Sequence, residues 1–204
     1  MCSGPIDIKT IQSKGSNPAE LRRTSKEEAI KDFRKMFENK EFCDLEIDCG
    51  GKLFSCHRAI LSARSPVFSA MLKIEMKESK SGKVSIKDIK QETMAEMLYF
   101  IYTGLVNETA LTETNAVVEL LFAADMYHLD TLKDICQDKL SSILDAKNAI
   151  EFLILGEKYQ LSKLKDSSMM EVVHNMPLIA NTEDYQKLVE YPEIALEIPK
   201  AMFK

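Results

Sequence analysis

Thiols and an imidazole come together along one short stretch of this sequence: Cys43, Cys49, Cys56 and His57. A thiol beside an imidazole is the pattern of a nucleophile and its base. Three thiols and one imidazole could surround zinc. Neither reading fits the spacing. Cys56 and His57 are neighbours on a segment with strand character, so their side chains leave opposite faces and cannot serve each other. The cysteine spacing matches no familiar zinc module, and Cys43 and Cys49 fall on the apolar face of an alternating segment. No phosphate-cradling glycine loop, H-E-x-x-H, G-x-S-x-G or paired C-x-x-C occurs. The expectation is a chain without catalytic residues, cofactor or metal.

Charged residues offer a second kind of chemistry. Lysines cluster between Lys73 and Lys90, but Glu75, Glu78, Asp88 and Glu92 interleave with them and no aromatic side chains stand ready to stack on bases. A net charge of −5 also argues against nucleic acid as a partner. Asp44 and Arg58 flank the alternating segment. Either one buried alone would be costly, so they are expected to pair; the alternative is two separately solvated charges.

The elements that hold these residues follow from periodicity. Cys43, Leu45, Ile47 and Cys49 point one way, and Asp44, Glu46 and Asp48 the other, which is a half-buried strand. Gly50-Gly51 makes a hairpin turn, and Lys52 to His57 returns. From Arg58 the pattern is helical, through Ile60, Leu61 and Ala63. Ser65-Pro66 then opens a second short helix as N-cap and first helical residue. Residues 73–83 are polar, a loop or a frayed helix end. Val84 to Ile86 is a third strand. Met94, Met97, Leu98, Ile101 and Tyr102 line a helix that Gly104 stops. Upstream, residues 1–24 read as a flexible leader. Ser25-x-x-Glu28 reads as a capping box that opens a helix over 25–38, with Ile30, Phe33, Met36 and Phe37 on one face.

The second half contains an internal repeat. Tyr127-His-Leu129-Asp-Thr-Leu132-Lys-Asp134 returns as Tyr159-Gln-Leu161-Ser-Lys-Leu164-Lys-Asp166. In each copy a helix ends at Tyr-x-Leu, Asp130 or Ser162 caps the next, and a second helix follows: an αα-hairpin written twice. Two copies are too few to stand alone, so they are expected to pack on the first half.

The chain has 204 residues, 45% hydrophobic and 29% charged, which suits one large or two small globular domains. The longest unbroken apolar run, Met97 to Tyr102, is too short to span a bilayer. The cysteine count is odd, no signal peptide stands before them, and Cys2 replaces the glycine that myristoylation needs. These features predict an intracellular protein, nuclear or cytoplasmic, with reduced thiols used as small core residues.

Several stretches together strongly resemble the BTB/POZ family. They are Phe42-Cys-Asp44-Leu45, then Phe54-x-Cys-His57-Arg58-Ala-Ile-Leu61-x-Ala-Arg-Ser65-Pro-Val-Phe68-x-Ala-Met71, Met97-Leu-Tyr-Phe-Ile-Tyr102-Thr-Gly104 and Leu121-Phe-Ala-Ala-Asp125-Met-Tyr127-x-Leu129. Within the family the likeness is to the speckle-type POZ proteins. The resemblance implies an α/β (α+β) fold, a small sheet flanked by helices and followed by C-terminal αα-hairpins. It implies a BTB/POZ domain over 25–142 and a 3-box or partial BACK-like helical region over 143–204.

It also implies a non-catalytic homodimeric adaptor that docks cullin-3 and helps bring protein substrates to ubiquitination. Cullin contact would use the apolar-x-Glu pattern at Met76-Lys77-Glu78, with Met76 and Glu78 as the binding residues; Met76 merely covering its own loop is the alternative. The dimer would bury Ile30, Phe33, Met36, Phe37 and Ile60; the competing arrangement packs that stripe on the chain's own core. A dimerisation scaffold in transcriptional or other complexes, without a ligase role, is the second function this family offers. Two departures stand out: the leader is too short for the MATH domain with which speckle-type proteins capture substrates, and the chain has no tryptophan.

Overall fold

The computed structural model describes residues 17–73 and 82–202. It opens with a long helix, α1 (Pro18–Asn39). This start lies earlier than the capping box at Ser25 predicts, and takes part of the expected leader into the helix. The reason is local: the Asn17 side chain accepts from the Ala19 N–H at 3.0 Å and Pro18 sits in the first turn, a stronger start signal than Ser25 supplies.

Strands β1 (Leu45–Cys49) and β2 (Lys52–Cys56) form the expected hairpin, with Leu45 opposite Cys56 and Ile47 opposite Phe54. Gly50 and Gly51 both have positive φ, 56° and 88°, the backbone that a tight two-residue hairpin turn demands. Strand β3 (Lys83–Ile86) pairs with β1 in parallel and completes a sheet of order β2-β1-β3. Leu45, Ile47, Cys49, Phe54, Cys56, Val84 and Ile86 are buried on one face.

Helices α2 (Arg58–Arg64) and α3 (Pro66–Lys73) follow β2. The Asp44 carboxylate accepts from the Arg58 backbone N–H at 2.8 Å and so caps α2 from the residue just before β1. Arg58 Nε donates to the Asp44 carbonyl at 3.2 Å. The two charged residues meet, each through the other's main chain. Ser65 caps α3 by accepting from the Phe68 N–H at 3.2 Å and donates its own proton to the Tyr127 carbonyl at 2.8 Å. A local cap thereby ties the α2–α3 corner to the far half of the chain.

Helix α4 (Gln91–Thr103) runs through the middle of the core and ends at Gly104, whose φ is 71°. A short 3₁₀ turn (Glu108–Leu111) leads to α5 (Thr114–Met126) and α6 (Asp130–Ser142), then α7 (Ala149–Lys158) and α8 (Ser162–His174). Short helices α9 (Met176–Ile179) and α10 (Glu183–Gln186) and a 3₁₀ turn (Lys187–Glu190) precede α11 (Pro192–Met202).

The repeat is structural as well as sequential. His128 and Gln160 both take a left-handed backbone, φ 51° and 55°. The Leu129 N–H reaches the Ala124 carbonyl, and the Leu161 N–H the Gly156 carbonyl, each at 2.8 Å. Asp125–Lys133 and Glu157–Lys165 form the same ion pair at 2.6 and 2.7 Å. Asp130 and Ser162 occupy first helical positions instead of capping through their side chains. Leu129, Leu132, Leu161 and Leu164 join the main core beside the sheet and α4, so the units pack on the first half as expected. A second apolar cluster gathers Ile150, Leu153, Val172, Ile194 and Ile198 around the tail.

Candidate functional site

On α1, Ile30, Phe33 and Phe37 recur at helical spacing and define one face. None of its described residues is fully buried. Phe37 turns into the fold, its ring 5.0 Å from that of Tyr102 and 6.5 Å from that of Tyr99. Arg34 hydrogen-bonds the Tyr99 hydroxyl and lies 5.2 Å from the ring centroid.

Where α1 leaves α2 and the end of α4, an open groove of about 470 Å³ remains. Ala29, Ile30 and Phe33 form one wall, Ala59, Ile60 and Ala63 the other, and Ile101 and Tyr102 also line it. Phe33 is 43% exposed, a large cost in unburied apolar surface for one side chain. Arg64 stands at the groove with its Nε on the Ile101 carbonyl at 3.1 Å. Of the residues the sequence assigns to a dimer face, Ile30, Phe33 and Ile60 are brought together here. Phe37 is spent on the aromatic contacts with α4, and Met36 is half-buried away from the groove.

Tyr102 links this groove to His57, the histidine beside Cys43. Its hydroxyl accepts from the His57 backbone N–H at 2.9 Å and stands 2.7 Å from Nδ1. On its other side the ring meets the Glu41 carbonyl, 2.7 Å from Nε2. A carbonyl only accepts, so Nε2 carries the hydrogen and the Tyr102 O–H donates to Nδ1. The thiol nearest the ring is Cys43, not Cys56, with Sγ 3.9 Å from Nε2. A nitrogen already bearing its hydrogen cannot take the thiol proton. Burial pushes the Cys43 thiol up, and Cys56 up to about 12. The group fastens the end of α1 to the sheet and activates no nucleophile. Sequence reading missed Tyr102 and the Glu41 carbonyl because nothing local to them marks the contact.

Met76 and Glu78, the expected cullin contacts, lie outside the described residues. Among the described residues no group of three or more His, Cys, Asp or Glu could hold a metal ion. No described helix is long and apolar enough to cross a membrane. Asn107, within the sequence Asn-Glu-Thr, has its side chain and backbone N–H both bound to Glu96.

Comparison with known proteins places these features among relatives. The family model for the BTB/POZ domain matches residues 33–144. Protein maternal effect lethal 26 of Caenorhabditis elegans is 31% identical over 95% of this chain and 49% of its own length. TD and POZ domain-containing protein 1 of Mus musculus is 35% identical over 81% of this chain and 45% of its own length. The chain thus spans about half the length of these curated relatives. Among solved structures, the BTB domain of zebrafish PATZ1 aligns with a TM-score of 0.49 and 21% identity, over 62% of this chain and 99% of that one.

Proposed function

Because this chain belongs to the BTB/POZ family, we propose that it works as a homodimeric, non-catalytic adaptor that docks cullin-3 and helps recruit protein substrates for ubiquitination. The observation that carries the dimer is the open groove: Phe33 stands exposed and Ile30 half-buried beside a concavity whose opposite wall is Ile60. In a two-fold pairing, Phe33 of each copy enters the groove of the other, so one apolar surface satisfies itself. Burial of such a face is the usual driving force for a stable homodimer. Four described cysteines are free thiols, as suits a protein acting inside the cell.

Cullin-3 docking rests on the family resemblance at Met76-Lys77-Glu78 and on the helices that follow the BTB/POZ domain. Met76 fills an apolar pocket with a flexible thioether, and Glu78 accepts hydrogen bonds at the pocket's rim.

Two measurements test this reading separately. Light scattering on the purified chain should give about twice the monomer mass, and Phe33→Asp should give the monomer, because a carboxylate would be stranded in apolar surroundings. A monomeric unmutated chain at micromolar concentration overturns the dimer. Calorimetric titration with the N-terminal domain of cullin-3 should show binding that Met76→Ala weakens by roughly ten- to a thousandfold. Failure of the unmutated chain to bind at tens of micromolar removes the ligase role and leaves the dimerisation scaffold.

A further inference from the structure

The first turns of α1 stand off the fold. Residues 17–29 are all exposed, and Leu21 keeps 55% of its surface in solvent. Farther along, α1 borders two concavities: the open groove beside Phe33, whose wall on this helix begins at Ala29, and one of about 330 Å³ that Glu27, Ile30, Tyr99 and Leu105 help to line. Among the described residues, the hydrogen bonds and ion pairs of residues 17–26 stay within α1 and its cap. Ala19 and Leu21 bond to Asn17, Thr24 to Glu20 and Arg23 to Glu27. A helix end held only by local bonds opens at little cost, because short isolated helices are marginal in water.

This end carries Arg22-Arg23-Thr24-Ser25. Two hydroxyls follow the arginines, and they are not equivalent. Thr24 Oγ1 donates to the Glu20 carbonyl at 3.0 Å. Ser25 is exposed and has no hydrogen-bond partner among the described residues. Because α1 opens at Asn17, the Ser25-x-x-Glu28 pattern caps nothing and leaves that hydroxyl free. Arg22 is likewise exposed and without an ion pair among the described residues, whereas Arg23 is held by Glu27 at 2.9 Å. Guanidinium groups two and three residues before a free serine hydroxyl suit a kinase whose substrate cleft is lined with carboxylates, since the two groups join through charge-assisted hydrogen bonds. Such an enzyme takes its substrate extended, which the loosely held end of α1 allows.

Spacing ties the same serine to the groove beside Phe33. Ser25, Ala29 and Phe33 recur every four residues, so they lie on successive turns within about 80° of one helix face. Ala29 and Phe33 line the groove, and Ser25 stands about 6 Å along the helix beyond Ala29.

We propose that Ser25 is a phosphorylation site for a protein kinase directed to serine after paired arginines, and that its phosphate weakens pairing through the groove beside Phe33. The bond between Ser25 Oγ and the γ-phosphorus of ATP forms as the bond from that phosphorus to the β,γ-bridging oxygen breaks. ADP leaves with the bridging oxygen, and the hydroxyl proton passes to the kinase's base. The phosphate carries a charge of about −1.5 to −2 and pairs with Arg22 one turn back. It stands at the end of an apolar wall, so closing the groove strips water from it and brings one such charge from each copy to a shared interface. Control of pairing rests on the homodimeric reading; the modification itself does not.

Incubation of the full chain with ATP and the catalytic subunit of cyclic-AMP-dependent protein kinase, followed by mass spectrometry, reads the site. Ser25 should carry the phosphate, and Arg22→Gln should slow its addition at least about tenfold by removing one charge-assisted contact with the enzyme. Arg22 is exposed and unpaired, so this substitution does not act through folding. Phosphate on Thr24 in place of Ser25, none on Ser25, or an unchanged rate in Arg22→Gln overturns the site. Light scattering over a dilution series reads the consequence. The phosphorylated chain should dissociate at a concentration roughly tenfold higher than the unmodified chain, and the same treatment of Ser25→Ala should shift nothing. Equal dissociation of the phosphorylated and unmodified chains overturns the control of pairing. An unmodified chain that is already monomeric overturns the homodimer and the control with it, while the mass of the Ser25 peptide decides the modification independently.

Discussion

Helix α1 and the tandem helical units treat their apolar residues in opposite ways. Over 22 residues α1 fully buries none, whereas α5, with 13, buries Val117, Leu120, Leu121, Ala123 and Ala124. The units close on themselves, each through a left-handed residue, a carbonyl contact across the turn and an ion pair. Helix α1 is held by one row of contacts, from Phe37, Arg34 and the Glu41 carbonyl, and leaves a groove on either flank. The difference separates structure from interaction: side chains in the units secure the fold, and those on α1 are available to other surfaces.

Substitution of a closed residue should have the largest effect. Leu132 has no exposed surface, so Leu132→Ala should lower the unfolding free energy by about 2–5 kcal/mol in urea titration. Phe33→Ala on the open side should cost only roughly 0.5 kcal/mol in the single chain. Any larger loss should depend on protein concentration, since it comes from pairing. Equal, concentration-independent losses at the two sites would erase the distinction.

The two units also differ from each other at one matched position, Ala124 in the first and Gly156 in the second. A Cβ on Gly156 would stand 2.7 Å from the Lys165 backbone nitrogen and 2.8 Å from its Cα. Gly156→Ala must therefore push α7 from α8, at a cost of about 1–3 kcal/mol despite better helix propensity. Ala124→Gly should cost roughly 1 kcal/mol. Thermal denaturation of both variants reads the difference, and a stabilising Gly156→Ala would show that the second unit is looser than the first.

Alkali should act mainly on the closed regions. Burial holds Cys136 and Cys56 up to about 12, well above the ordinary thiol range near 9. A raised folded-state value contributes stability that is fully present below about pH 9 and is lost as pH climbs toward 12, because the unfolded thiols ionise first. Each thiol contributes a slope of up to about 1.4 kcal/mol per pH unit in that window. Cys136→Ala should flatten the loss between pH 9 and 12; an unchanged slope would place its origin elsewhere.

The smallest effect belongs to the ion pairs. Lys165 bridges Glu157 at 2.7 Å and Glu197 at 2.8 Å, which joins α8 to α7 and α11. Both contacts are partly solvated, so Lys165→Met should cost about 0–1 kcal/mol at neutral pH. Its raised value places the loss of that contribution above about pH 10.5. Lys133→Met removes the matching pair of the first unit and should cost no more.

Much of this organisation is legible in the sequence. The alternation of Cys43 to Cys49, the glycines at 50 and 51, Ser65-Pro66, Gly104 and the repeated Tyr-x-Leu each marks its element within one or two residues. The start of α1 is misread because Ser25 and Glu28 also satisfy a capping pattern inside a helix that Asn17 and Pro18 had already opened. The candidate interface is legible in part. Helical spacing puts Ile30, Phe33, Met36 and Phe37 on roughly one side, a sector broad enough for Phe37 to enter the fold while Phe33 remains outside it.

By itself the sequence determined what depends on near neighbours: turns that need positive φ, caps that need a short polar side chain, faces set by a period of two or 3.6, and a repeated helical pair. It also carried enough side-chain pattern to identify the family. Only the tertiary structure decided what stands opposite each face. It set Asp44 on the first turn of α2, Ser65 on the Tyr127 carbonyl, and Cys43 rather than Cys56 beside His57. It also left α1 with a groove on each flank. The physical reason is the range of the forces. Backbone sterics and local hydrogen bonds act over a few residues, whereas close packing joins residues far apart in the chain, and no period along one helix records the surface that meets it.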